Sequence, residues 1–154
     1  MMRNKKQMND KASRSETSEA YDLDEQVGYI LRLASQRHAG IFQNIIGKDL
    51  TPTQFSVLIR LDEKGDLSQN LLGRLAALDT ATTKGVVDRL RAKSLIQSRP
   101  DTSDKRRAII SLTDEGQSII SSLKKDGLAI TDKTLGSLKA TEKLKLLKLL
   151  KKII

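Results

Sequence analysis

Residues 67–113 read LSQNLLGRLAALDTATTKGVVDRLRAKSLIQSRPDTSDKRRAIISLT, and this stretch decides the fold. Ser68 stands at the head of a short apolar-periodic segment holding Leu71, Leu72, Leu75 and Ala76. Asp79 heads a second, in which Val86, Val87 and Leu90 recur at helical spacing. Short polar residues at such positions cap helices, because their side-chain oxygens accept from otherwise unpaired N–H groups of the first turn. Two β-like runs follow, Leu95 to Arg99 and Ala108 to Leu112, around the tip Asp101-Thr102-Ser103-Asp104-Lys105-Arg106-Arg107. They read as an antiparallel hairpin. A helix-turn-helix followed by a basic hairpin suits a major groove and the minor groove beside it.

Working outward, residues 23–46 carry Val27, Leu31, Ala34, His38, Ile41, Phe42 and Ile45 at steps of three and four, the pattern of one helix with an apolar stripe. Gly47 is its expected stop. Thr51-Pro52 opens a second helix whose inner face is Phe55, Leu58, Ile59 and Leu61, ending at Lys64-Gly65. Thr113, with Asp114 and Glu115 in the first turn behind it, opens a fifth helix with Ile119, Ile120, Leu123, Gly127 and Ile130 along its stripe. A sixth is expected from Ala140 to the last residue. Its sequence ATEKLKLLKLLKKII separates aliphatic from lysine positions, as expected of a dimerisation helix with lysines at its rim. A membrane-surface helix has the same pattern and is the weaker reading. Residues 1–20 are polar without apolar period and read as a disordered arm.

Charge follows the same division. The chain carries a formal +9, and residues 67–112 hold nine basic against four acidic side chains. Residues 139–154 add six basic against one acidic, while 20–66 is net acidic. Basic charge concentrated in one segment is the footprint of a polyanion-binding surface.

Composition removes other classes. No cysteine is present, so disulfides, thiolate catalysis and Cys-based metal sites are excluded. Aromatic residues make up 3%, too few for a base-stacking RNA sheet. One histidine, no clustered Asp/Glu/His set and no phosphate-cradling glycine loop leave little catalytic machinery, so neither an enzyme nor a cofactor or metal is expected. No run of about 18 apolar residues exists, nor an apolar signal core, so the expectation is a cytoplasmic protein with no membrane partner.

The candidate DNA-reading residues are Ser68 and Gln69 at the first helix start, Thr80, Thr82, Thr83 and Lys84 in the exposed first turns of the second helix, and Arg89 further along it. Threonine hydroxyls serve bases or phosphates, and the methyl can touch thymine. At the tip, Lys105, Arg106 and Arg107 suit phosphates or a narrow minor groove. Asp104, two residues before Arg106, is placed to orient its guanidinium.

In order and pattern, residues 24–152 resemble the MarR family of winged helix-turn-helix regulators. The resemblance rests on LTPTQFSVL (50–58), DTATTKGVVDRL (79–90), SLIQSRPDTSDKRRAIISLTDEG (94–116) and the leucine-rich final helix. It implies a mainly α fold with a small β-hairpin wing, divided into dimerisation helices at 21–50 and 113–154 and a DNA-binding lobe at 51–112. It also implies a homodimer on a pseudo-palindromic double-stranded operator, with Arg106 in the minor groove and Asp104 supporting it. Three positions depart from many relatives: Ser103 replaces an arginine, Ser94 a glycine, and Thr80 a more basic residue or proline. Ser94 is therefore expected to be slightly strained if it takes positive φ.

The segment DEQVGYILRLASQRHAGIF (24–42) resembles first helices of family members that respond to aromatic carboxylic acids. That resemblance implies a small effector, with Arg37 or His38 engaging a carboxylate or phenol. The plainer reading of His38 is an interface histidine bonded to a backbone carbonyl. Taken together, the expectation is a sequence-specific, ligand-released repressor; the alternative is a sequence-tolerant architectural DNA binder without an effector.

Overall fold

The computed structural model describes residues 21–47 and 49–154. The expected N-terminal arm lies outside the described residues. Helix α1 runs Val27–Ile46, preceded by a 3-10 turn over Leu23–Glu25, so the expected single helix is broken at Gln26, whose backbone is extended. Helix α2 (Pro52–Lys64) begins with a full capping box: Thr51 Oγ1 accepts from Gln54 N, and the Gln54 side chain accepts from Thr51 N. Gly65 ends it at φ 75°, a conformation that a side chain disfavours.

Strand β1 (Leu67–Ser68), α3 (Gln69–Leu75), α4 (Thr80–Ala92), β2 (Ile96–Pro100) and β3 (Ala108–Leu112) follow. The expected two-stranded hairpin is a three-stranded antiparallel sheet in the order β1-β3-β2. Leu67 pairs with Ile110, and Ile96 with Leu112. A two-residue strand has no periodicity to read, and only its pairing with β3 defines it. This is a winged helix fold.

Helix α5 spans Asp114–Thr134, with Thr113 Oγ1 accepting from Gly116 N, and α6 spans Ala140–Leu150. The last helix stops four residues before the expected end. The core fills the space between α2, α3, α4, the sheet and the first half of α5, with Val57, Leu58, Leu72, Leu90, Ile96 and Ile110 fully enclosed. Val57, not among the expected inner residues of α2, is central to it.

The apolar stripe of α1 behaves differently from the core helices. Phe42 is buried, but Val27 is 66% exposed, and Leu31 and His38 are open as well. In α5 and α6, Leu128 and Leu144 are 70% and 71% exposed. One copy of the chain does not cover these side chains. Among the described residues, no helix is long and apolar enough to cross a membrane, and no group of three or more His, Asp or Glu side chains is placed to hold a metal.

Candidate nucleic-acid interface

Ser68 Oγ accepts from Leu71 N at 3.3 Å and starts α3. The turn to α4 passes through Ala77 at φ 55° and closes with Leu78 N donating to Gly73 O. Arg60 on α2 donates from Nε to Leu75 O at 3.0 Å, satisfying a carbonyl at the open end of α3. The sequence reading missed this contact because Arg60 and Leu75 are fifteen residues apart. Gly73 lets the helices meet: a Cβ there would lie 2.4 Å from Thr83 Oγ1.

Asp79 caps α4 twice over. Its Oδ1 accepts from Thr82 N at 2.8 Å and its Oδ2 from Thr82 Oγ1 at 2.6 Å. These bonds hold its carboxyl below the usual carboxylate range, the Thr82 hydroxyl contributing most. The four expected DNA-reading side chains at the head of α4 therefore divide. Thr80 and Lys84 are exposed. Thr82 is exposed but committed to Asp79.

Thr83 corrects the expectation of an exposed turn. It is 2% exposed, and its Oγ1 donates to Asp79 O at 2.7 Å, because it is the residue that fits over Gly73. Lys84 and Arg91 both reach Asp88, at 3.3 and 3.2 Å. Arg89 is exposed, with its guanidinium alongside Gly85.

The wing tip is ordered by its two aspartates. Asp101 N donates to Arg107 O and Arg107 N to Asp104 O, closing the loop. Asp101 Oδ1 accepts from Ser103 N and Ser103 Oγ, both at 2.8 Å, so the serine hydroxyl is spent on bracing the turn. Asp104 Oδ1 accepts from Arg106 N at 3.1 Å and from Arg106 Nε at 3.0 Å, while Arg107 Nε approaches Oδ2 at 3.8 Å. The hydrogen bonds from the Arg106 side chain, and then from its backbone, keep the Asp104 carboxyl ionised to lower pH than usual. Arg106 nevertheless leaves 91% of its side chain exposed: the carboxylate aims it without covering it. Lys105 is exposed beside it.

These parts share one surface. A groove of about 330 Å³ lies between α3 and the head of α4, lined by Gln69, Asn70, Arg74, Asp79 and Thr80 among others. A second, of about 440 Å³, lies between α3 and the wing, lined by Ser68, Gln69, Asn70, Arg74, Arg106 and Arg107 among others. Gln69, Asn70 and Arg74 line both. Asn70 and Arg74 were absent from the expected set. Asn70 and Arg74 are four residues apart on one face of α3, directly after Gln69, and that spacing was the available signal.

Arg37 and His38 lie elsewhere, at the C-terminal end of α5. Arg37 Nη2 donates to Lys133 O at 3.4 Å, and His38 Nδ1 pairs with Thr134 Oγ1 at 3.0 Å. The partner of His38 is thus a hydroxyl and not the backbone carbonyl of the plainer reading. The carbonyl is taken by Arg37, a cation at a helix C-terminus, where the dipole favours it.

Comparison with known proteins agrees with this geometry. A model described as "MarR family" matches residues 50–108. The HTH-type transcriptional repressor NicR of Pseudomonas putida is 41% identical over 135 residues, covering 87% of this chain and 85% of NicR. BpsR of Bordetella bronchiseptica, solved in a study of how 6-hydroxynicotinic acid regulates its DNA binding, superposes with a TM-score of 0.83 at 36% identity, covering 86% of this chain and 96% of that one. The transcriptional repressor CouR, solved on a 23-mer DNA duplex, gives a TM-score of 0.80 at 28% identity, covering 85% and 94%. With its helix-turn-helix, wing and flanking helices matched along most of their length, this chain belongs to the MarR family.

Proposed function

We propose that this protein is a homodimeric, sequence-specific transcriptional repressor, not an enzyme, whose hold on DNA is released by a small aromatic acid. The observation that carries the DNA-binding part is the continuous surface from Thr80 through Gln69, Asn70 and Arg74 to Arg106 and Arg107. It joins the exposed head of a recognition helix to an aimed wing arginine. Thr80 and Lys84 are offered to base edges, Arg106 to the minor groove, and Ser68, Gln69, Arg89, Lys105 and Arg107 to the flanking backbone. Asp104 orients Arg106, while Thr82 and Thr83 keep the helix head in place.

The dimer is supported by the aliphatic side chains that α1, α5 and α6 leave open, which a second copy would cover. The effector class is supported by the similarity to NicR and to BpsR, whose DNA binding 6-hydroxynicotinic acid regulates. Arg37 and His38, a cation and a hydrogen-bonding ring side by side on α1, are the groups offered to its carboxylate and hydroxyl.

Selection of preferred duplexes from a random pool tests the reading. The expected winner is a pseudo-palindrome with half-sites about one helical turn apart, bound on the order of 10³-fold more tightly than random DNA. Equal binding to both at physiological salt would instead identify an architectural binder. Titrating 6-hydroxynicotinate, salicylate and hydroxycinnamate against that complex tests the effector. Release that is unchanged in His38→Ala and Arg37→Ala removes those two residues from the mechanism.

A further inference from the structure

Ile120 and Leu123 seat the first half of α5 in the core of the DNA-reading lobe, and the polar groups that join the two are few and sit at defined points. The first turn of α5 is fixed to the wing: Thr113 N donates to Leu95 O at 3.2 Å, Thr113 Oγ1 donates to Ser94 O, and a Cβ on Gly116 would stand 2.0 Å from the Leu95 carbonyl oxygen. The far end of α5 meets α1, where Arg37 and His38 reach Lys133 O and Thr134 Oγ1. Apolar packing of Ile120 and Leu123 keeps α5 against the lobe but tolerates small rotations, so the angle between lobe and far half depends also on a second polar anchor.

That anchor is at the middle of the helix. Asp62 on α2 holds Lys124 Nζ at 2.5 Å through Oδ2 and accepts from Gln117 Nε2 at 3.2 Å through Oδ1. Gln117 and Lys124 are seven residues apart, two turns along one face of α5, so a single carboxylate grips two successive levels of the helix. Among the described residues, every hydrogen bond and ion pair joining α2 to α5 ends on Asp62. The Asp62 side chain is only 15% exposed while that of Lys124 is 52% exposed, so the lysine reaches in from solvent to a carboxylate held largely within the helix seam. Two turns earlier on α2, Phe55 lies against Gly127. This second contact is apolar and sets how closely the helices approach, whereas the bonds of Asp62 are directional.

We propose that Asp62 is a positioning residue for operator recognition: by holding Lys124 and Gln117 it sets the angle of the DNA-reading lobe on α5, and so the distance between the two recognition helices of the dimer. The proposal rests on the dimeric repressor reading above. A lever of about 16 Å separates Lys124 from the pivot at Thr113, so a small displacement at Asp62 becomes a rotation of the whole lobe. Asp62 itself lies on α2 and is absent from both grooves that form the DNA-facing surface. Its loss should therefore change which half-site spacing is bound and leave the half-site sequence alone.

The experiment measures binding of wild type, Asp62→Asn, Asp62→Glu and Lys124→Met to the selected operator and to versions with the half-sites moved one or two base pairs closer or farther. Wild type is expected to prefer one spacing by about tenfold or more, and Asp62→Asn and Lys124→Met to reduce that preference to about threefold or less. Asp62→Glu should restore most of it. Melting curves and mass measurement identify folded dimers; if Asp62→Asn does not fold, the exposed Lys124→Met carries the test. A folded, dimeric variant with the wild-type spacing profile, or one weakened equally at every spacing, overturns the proposal while leaving the repressor reading intact. A wild type with no preferred sequence overturns both.

Discussion

Phe42 and Phe55, the only two phenylalanines of the chain, meet edge to face with ring centroids 5.8 Å apart and planes at 89°. The contact joins α1 to α2, and Gly127 of α5 completes it: a Cβ there would fall 2.9 Å from the Phe55 ring. Three helices thus converge where the DNA-reading lobe meets the helices proposed to dimerise. An offset or edge-on aromatic pair adds about 0.5–1.5 kcal/mol to the burial of its rings.

Phe42→Ala is accordingly expected to destabilise the fold by about 3–5 kcal/mol, since Phe42 is buried and its neighbours cannot all collapse into the space. Gly127→Ala sets two effects against each other. Helix propensity favours alanine by about 1 kcal/mol, but displacing a packed ring costs about 1–3 kcal/mol, so a net loss is expected. Urea denaturation measures both; a Gly127→Ala protein more stable than wild type would show that Phe55 moves freely.

The wing arginine should behave as a groove contact. Arg106→Ala is expected to weaken operator binding by about 1–3 kcal/mol with no change in stability, the side chain being almost wholly in solvent. Asp104→Asn should weaken binding less, through lost aim. Titrations at several salt concentrations check this: if Arg106→Ala binds like wild type, the wing does not enter the groove.

Thr80 and Thr83 should part company in spite of their near-adjacent positions. Thr83→Val removes a buried donor to Asp79 O and is expected to cost about 1 kcal/mol of stability. Its sequence preference should match wild type. Thr80→Ala should leave the melting temperature alone and alter preference at one or two base positions. Base-by-base operator variants read the difference, and a shifted preference in Thr83→Val would place that residue in the interface after all.

Acid should loosen the molecule in a definite window. Asp62, Asp79, Asp101 and Asp104 all have carboxyls held below their ordinary range, by Lys124, by Thr82, by Ser103 and by Arg106 respectively, each through hydrogen bonds. Between the folded and unfolded values the unfolded chain binds more protons, so falling pH favours unfolding. The contribution is complete above the ordinary carboxylate value of about 4 and is lost as pH drops through the lower folded values. Denaturation midpoints from pH 6 to 2 should fall most steeply below about pH 4, and less steeply in Asp62→Asn. A flat wild-type profile over that range would mean that these carboxylates are not specially held.

Much of this protein is local, and what is local was legible in its residues. Thr51, Ser68, Asp79 and Thr113 each mark a helix start because a cap closes a bond within three residues of itself. Asp104 aims Arg106 for the same reason, two residues away. Periodicity gave the order of helices, and the crowding of cations between residues 67 and 112 indicated the face that meets a polyanion. Tertiary structure decided what depends on partners far along the chain. Thr83 is buried because Gly73 brings α3 against it, Ser68 joins a strand because β3 returns beside it, and Arg60 closes α3 from a neighbouring helix. His38 finds Thr134 across 96 residues, and Asp62 finds Lys124 on a helix whose direction no local pattern states. Caps and stripes follow from bonds within a turn of chain, whereas the roles of these residues follow from how whole helices come to lie against one another.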